Sequence, residues 1–217
     1  MVGRATELVL ASGSPRRKEL LETLGLRPRV LVADVDEAPL PGEAAEDYSR
    51  RLASAKAVAV ARQLASAEPG ETSLVLGADT IVVTDGGQLL GKPAGEDEAR
   101  RMLEALSGRA HAVLTAFSLW RTGDGEAREL ETGAARTTVD VRALRREELE
   151  GYLATREWED KAGAYAVQGA FGAFVRGLRG AWANVVGLPV FEVVEALYRA
   201  GFFAGRAFPA PPPGARP

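Results

Sequence analysis

The chain predicts an α/β fold: a mixed twisted sheet with flanking helices. Three observations lead there. Short apolar runs such as Leu8-Val9-Leu10-Ala11 and Leu74-Val75-Leu76-Gly77-Ala78 read as buried strands. Between them lie longer segments whose apolar residues recur at helical spacing. The two kinds alternate along the chain, and a hairpin signal at Asp85-Gly86-Gly87 adds an antiparallel pairing. Hydrophobic residues make up 46% of the 217 residues, enough to build a core.

The elements follow in order. After the strand at 8–11, Ser14 before Pro15 reads as an N-cap followed by proline at the first helical position. Leu20, Leu21, Leu24 and Leu26 continue at helical spacing. Arg29 to Val32 reads as a second strand and enters an acidic loop, Asp34-Val35-Asp36-Glu37. An alanine-rich helix spans about 43–64, broken by Pro69 and Gly70. The strand at 74–78 ends at Asp79-Thr80, and 81–84 stays extended up to the hairpin turn. Gly91-Lys92-Pro93 is a loop, and a helix runs over 96–106. Two long strands, 110–120 and 132–141, flank a polar turn near 122–126. A helix covers 146–155, strand and loop occupy 163–180, and an amphipathic helix over 189–200 stops at Gly201. The tail Pro209-Ala210-Pro211-Pro212-Pro213-Gly214 offers nothing to pack and predicts disorder over 208–217. Two lobes are expected, with a cleft between them.

Composition narrows the chemistry. A formal net charge of −3 gives no general attraction to nucleic acid. With no cysteine, disulfides, thiolate catalysis and zinc–cysteine sites are excluded. With one histidine, a multi-histidine metal site is excluded too, so a metal would be held by oxygen ligands, which favours Mg²⁺ or Mn²⁺. No apolar stretch reaches membrane-spanning length and no signal-peptide core is present, so a cytoplasmic protein is expected.

Candidate site residues lie at element ends. Arg16, Arg17 and Lys18 crowd the start of the first helix, where free backbone N–H groups and the dipole already favour negative charge. A bound anion, phosphate above all, would resolve that conflict. Asp79 follows an apolar strand at its carboxyl end, where open α/β sheets bind ligands. It can hold a metal, take a proton from water, or simply cap the following turn. Asp34, Asp36 and Glu37 read equally as a solvated loop. Lys56 reads as a surface lysine on its helix, Lys92 sits in an incomplete phosphate-loop pattern, and His111 reads as a hydrogen-bonded structural residue. Trp120, Trp158 and Trp182 read as packing residues.

Taken together, these segments resemble the Maf family of nucleoside triphosphate pyrophosphatases, also called septum formation inhibitor proteins. The residues that carry the resemblance are 11–17 (Ala-Ser-Gly-Ser-Pro-Arg-Arg), Asp36-Glu37, Lys56-Ala57, Gly77-Ala78-Asp79-Thr80, Gly91-Lys92-Pro93, and Leu106-Ser107-Gly108-Arg109 with His111. Further along they are 160–165 (Asp-Lys-Ala-Gly-Ala-Tyr), Gln168-Gly169 and 184–189 (Asn-Val-Val-Gly-Leu-Pro). The resemblance implies one α/β domain over 1–207, two lobes around a deep cleft, related to the inosine triphosphate pyrophosphatases. It implies hydrolysis of a nucleoside triphosphate to monophosphate and pyrophosphate with a divalent cation, Mg²⁺ or Mn²⁺, and a homodimer. The dTTP/UTP subgroup is the most similar, with specificity positions at Arg16, Thr80 and Gln168. Asp79 is then the catalytic base, Glu37 and Asp79 the metal ligands, and Ser14, Arg17, Lys56 and Lys92 the phosphate-binding groups. Ala116, where a glycine often follows the threonine, and Ala181-Trp182-Ala183 depart from the family pattern. A non-catalytic nucleotide-binding regulator of cell division and a broad house-cleaning pyrophosphatase are the alternatives.

Overall fold

A computed structural model describes residues 6–205 and Phe208. The elements are β1 (Glu7–Ala11), α1 (Pro15–Thr23), β2 (Arg29–Val30), α2 (Ala45–Ala67), β3 (Ser73–Val83), β4 (Leu89–Leu90), α3 (Glu96–Leu106), β5 (Ala110–Gly123), β6 (Glu126–Val141), α4 (Arg146–Ala154), β7 (Val175–Arg179), α5 (Trp182–Val186) and α6 (Val190–Arg199). The sheet order is β2-β1-β3-β5-β6-β7, with β4 pairing β3. β1 lies parallel to β2 and β3, while β4 pairs antiparallel with β3, and β7 with β6. The sheet is therefore mixed, as the alternation of strands and helices predicts. None of the helices among the described residues is long and apolar enough to cross a membrane.

Most elements fall where periodicity puts them, and the departures have physical reasons. β2 holds two residues rather than four, since Val32 is 65% exposed and leaves the ladder. β3 absorbs both extended segments around Asp79 into one strand. β5 and β6 run further than their apolar cores, up to a two-residue turn in which Asp124 and Gly125 both take positive φ, +53° and +77°. That is the backbone a tight antiparallel hairpin needs. The charged start of β6, Glu126 to Glu131, hides it from any alternation test. α5 went unpredicted, and its Trp182 is half-exposed rather than packed. Of the tail predicted over 208–217, residues 209–217 lie outside the described residues, while Phe208 stacks on Phe203 with centroids 4.4 Å apart.

The chain forms two compact units. Among the described residues, one comprises 6–79, 116–134 and 187–205 with Phe208. Its core sets Val9, Ala11 and Val75 of the sheet against Val60, Ala61 and Leu64 of α2. The buried stripe of α2 runs Ser49, Leu52, Ala53, Ala57, Val60, Ala61, Leu64 and Ala65, a regular three-and-four spacing. Gly77 lets this helix come close. A Cβ there would meet the carbonyl oxygen of Ala53 and lie 2.8 Å from the Ala57 nitrogen. Backbone atoms cannot swing aside as a flexible side chain can.

The other unit comprises 80–115 and 135–186. Its core packs Leu103 and Leu106 of α3 and Leu153 of α4 with Val113, Val139, Tyr165 and Phe171. His111 is buried in this core, its Nε2 2.8 Å from the Tyr165 hydroxyl. Trp158 is buried and donates from Nε1 to the Leu153 carbonyl at 3.0 Å.

Two outcomes follow from this packing. Gly77→Ala should lower the unfolding free energy by about 1–3 kcal/mol, the usual cost of an overpacked core, read from urea denaturation midpoints. An unchanged midpoint would show that the helix accommodates the methyl. Burial also pulls the His111 pKa down from 6.5 to about 4. Its contribution to stability is therefore complete above pH 6.5 and is lost as pH falls through about 4. Across that window about 3 kcal/mol should disappear. His111→Gln should flatten the pH dependence of stability between those limits.

Candidate active site

The site begins where β1 ends. The chain turns at Ser12-Gly13-Ser14 and enters α1 with Pro15 in its first turn. Ser14 holds the N-cap position in extended conformation, but its hydroxyl makes no capping bond, contrary to the simplest reading of Ser-Pro. Its N–H instead donates to Ser12 Oγ at 3.3 Å. The first turn of α1 contains no acidic residue. Arg17 turns inward and is buried. Its Nη1 donates to Ser12 Oγ and its Nε to the Gly187 carbonyl, both at 2.8 Å. Arg17 thus ties the loop after β1 to the segment before α6. Desolvation pulls its pKa down and the Asp79 charge pulls it back up. Part of the anion that this cationic helix start calls for is supplied by the protein itself. Arg16 is half-exposed.

Lys56 lies within the inward stripe of α2, between Ala53 and Val60, not on the outer face. Its Nζ donates to Asp79 Oδ1 at 2.7 Å and lies 2.6 Å from Glu37 Oε1. The Asp79 side chain is 11% exposed and that of Glu37 51%. Two carboxylates therefore converge on one ammonium. Burial raises the Asp79 pKa above its ordinary 3.8, and the Glu37 charge adds a smaller push. The charges of Lys56 and Arg17 and the Lys56 hydrogen bond pull the other way without cancelling it.

The loop bearing Glu37 is held by α2. Tyr48 donates its hydroxyl to the Glu37 carbonyl at 2.8 Å, and Arg51 Nη2 donates to the Ala38 carbonyl at 3.0 Å. Asp36 is spent locally, accepting from the Ala38 N–H at 2.9 Å. The acidic loop is thus divided: Asp36 shapes the turn and Glu37 reaches Lys56. Tyr48 and Arg51 were not singled out by sequence reasoning. The signal was present, since Tyr48, Arg51 or Leu52, and Lys56 follow one another at helical spacing.

The first unit accordingly gathers Arg17, Glu37, Lys56 and Asp79, with Ser14 and Arg16 at the start of α1. The remaining candidates belong to the second unit. Thr80 is half-buried and hydrogen-bonds Thr115, 3.1 Å between hydroxyl oxygens. Lys92 and Gln168 are exposed, on the loops after β4 and before β7. Among the described residues, no three His, Asp or Glu side chains cluster to hold a metal ion. Glu37 and Asp79 nonetheless present hard oxygen donors toward one point, a set that suits a cation keeping several waters of its own.

A family model described as Maf-like protein matches residues 7–200. The chain belongs to the Maf family. Among curated relatives, a dTTP/UTP pyrophosphatase of Anaeromyxobacter dehalogenans is 51% identical over 198 residues, 91% of this chain and 96% of that one. Another protein so named, from Geobacter sp., is 48% identical over 192 residues, covering 88% of this chain and 94% of its own. Among solved structures, a HAM1 protein from Coxiella burnetii is 15% identical with a TM-score of 0.45, covering 93% of this chain and all of that one. The Maf assignment thus spans β1 to α6 and every candidate residue above.

The carboxylate–ammonium arrangement has a measurable consequence. Lys56→Met should raise the Asp79 pKa by about one unit or more beyond its already elevated value, since a contacting cation is removed from a desolvated acid. A carboxylate carbon NMR titration measures it. An unmoved Asp79 titration would show that Lys56 does not set this charge.

Proposed function

We propose that this Maf protein hydrolyses dTTP and UTP to the monophosphate and pyrophosphate by attack of water on the α-phosphorus. The observation that carries the reading is the buried Asp79 paired with Lys56 and Glu37, in a chain about half identical to proteins named dTTP/UTP pyrophosphatase. Asp79 acts as general base. Its raised pKa makes the carboxylate a better proton acceptor than a free aspartate, while the Lys56 charge and hydrogen bond favour its ionised form. Lys56, Lys92 and the backbone N–H groups at the start of α1 bind phosphate oxygens. Arg17 shapes this anion site from beneath, and its charge adds to the field. Glu37 and Asp79 would hold a divalent cation, Mg²⁺ or Mn²⁺, which when bound neutralises phosphate charge and orients water. Most of the acceleration then comes from positioning and charge stabilisation. Arg16, Thr80 and Gln168 recognise the base; the Gln168 amide supplies both a donor and an acceptor.

The test uses the purified protein with Mg²⁺ and dTTP, UTP, dCTP, dATP and GTP in turn. Pyrophosphate should appear from dTTP and UTP, and Asp79→Asn should cut the rate by about 100-fold or more. Orthophosphate as first product would overturn the reading, because attack would then fall on the γ-phosphorus. Binding without turnover would favour a regulator instead, and a preference for modified pyrimidine triphosphates a house-cleaning role. The acid limb of kcat/KM should lie above pH 3.8, following the raised Asp79 pKa. An aspartate raised by folding contributes stability below its ordinary value and loses it as pH rises through the folded one. The melting temperature of Asp79→Asn at pH 7 should therefore equal or exceed that of the wild type even as turnover collapses.

A further inference from the structure

Lys56 stands where the two proposed cation ligands meet. Its Nζ lies 2.6 Å from Glu37 Oε1 and donates to Asp79 Oδ1 at 2.7 Å. The lysine side chain is itself only 14% exposed. The backbone that carries it is held in place, because Ala53 and Ala57 on either side of it press on Gly77 of β3. The ammonium is thus delivered to both carboxylates from a firmly packed helix.

The local charge is already balanced from within the protein. Asp79 feels the cations Lys56 and Arg17 and the anion Glu37. Counted formally, two cations stand against two carboxylates, and all four residues belong to one unit. A divalent ion that meets both carboxylates has two ways to enter. It displaces the Lys56 ammonium, or it stands a few ångströms from it. Like charges that close repel strongly where burial weakens screening by solvent and salt. Either way Lys56 and the ion oppose each other, although both are drawn to the same oxygens.

We infer that Lys56 is a resident counter-cation that competes with a divalent ion for Glu37 and Asp79, so that the ammonium must give up these carboxylates as the ion enters. An ammonium is a point charge on a flexible stem, able to turn to a new anion without the fixed fork geometry of a guanidinium. The lysine released is the one assigned to phosphate, and one side chain then serves two kinds of anion in turn. The inference rests on the proposed reading that Glu37 and Asp79 hold the cation. It goes further in making Lys56 an antagonist of that ion and not a bystander or a helper.

The experiment measures Mn²⁺ binding to the nucleotide-free protein at pH 8, from the electron paramagnetic resonance signal of the free ion. It compares the wild type with Lys56→Gln, Lys56→Ala, Glu37→Gln and Asp79→Asn. A contacting charge moves the proton affinity of a carboxylate by about one to three pKa units, and a divalent ion feels the same charge at double strength. Both lysine variants should therefore bind Mn²⁺ at least about tenfold more tightly than the wild type. A merely structural lesion would change affinity in the opposite direction. If Glu37→Gln and Asp79→Asn weaken binding while the lysine variants leave it unchanged or weaker, the competition is wrong and the cation reading stands. If the carboxylate variants bind Mn²⁺ as the wild type does, the cation reading fails and the inference with it. The wild type supplies a check that needs no folded variant. As Mg²⁺ is titrated in, the nitrogen NMR resonance of Lys56 Nζ should leave its ion-paired position; a resonance unmoved at saturating Mg²⁺ overturns the inference.

Discussion

A carboxylate placed in a protein interior needs a cation beside it, and the burial of Asp79 is the constraint around which this molecule is arranged. The cation is Lys56, which occurs on α2 at a position the helix would otherwise fill with an apolar side chain. For that lysine to reach, α2 must lie close on β3, and Gly77 allows it. The same helix then holds the Glu37 loop through Tyr48 and Arg51. One helix-to-strand approach thus sets the separation of both carboxylates from their shared ammonium. Packing and chemistry are linked here through a position with no side chain.

The two arginines at the start of α1 divide their work. Adjacent helical residues point in different directions, so one side chain of the pair turns inward while the other stays half-exposed. Arg17 is spent on Ser12 and Gly187, partners 5 and 170 residues away in the chain. Its charge is met by Asp79 from within the protein. Crowded cations at a helix start read as a call for an external anion, and half of that call is answered internally. Arg16 stays half-exposed beside Arg17.

Much of this was legible in the sequence. Asp79 stood out because it follows an apolar run, although it lies within β3 and not at its carboxyl end, because the extended backbone continues through Thr80 to Val83. α3 ran from Glu96 to Leu106 as its periodicity marked it. Other features were hidden for physical reasons. Lys56 looked like a surface residue because a charge outweighs a stripe in any count of polarity, although its neighbours at 49, 52, 53, 57 and 60 place it inside. Glu37 could not be told from Asp34 and Asp36 by composition, since only the bonds from Tyr48 and Arg51 fix the loop that carries it. The first third of β6 is too charged to alternate. The serine before Pro15 has the right backbone for a cap but makes no bond as one, because capping depends on a rotamer that sequence does not display. The family resemblance bridged several of these gaps. It marked Glu37 and Lys56 as functional, but not how they meet.

In the second unit the Thr80 and Thr115 hydroxyls lie 3.1 Å apart, and Thr115 donates to the Asn184 carbonyl at 2.8 Å, a chain of two hydroxyls and a carbonyl. None of these gains or loses a proton between acid and alkaline conditions that the fold survives. Asp79 does titrate, and its neighbours set where. A shift in acidity therefore acts on this molecule through ionisable groups such as Asp79, while the direction of the hydroxyl chain has nothing in it to respond.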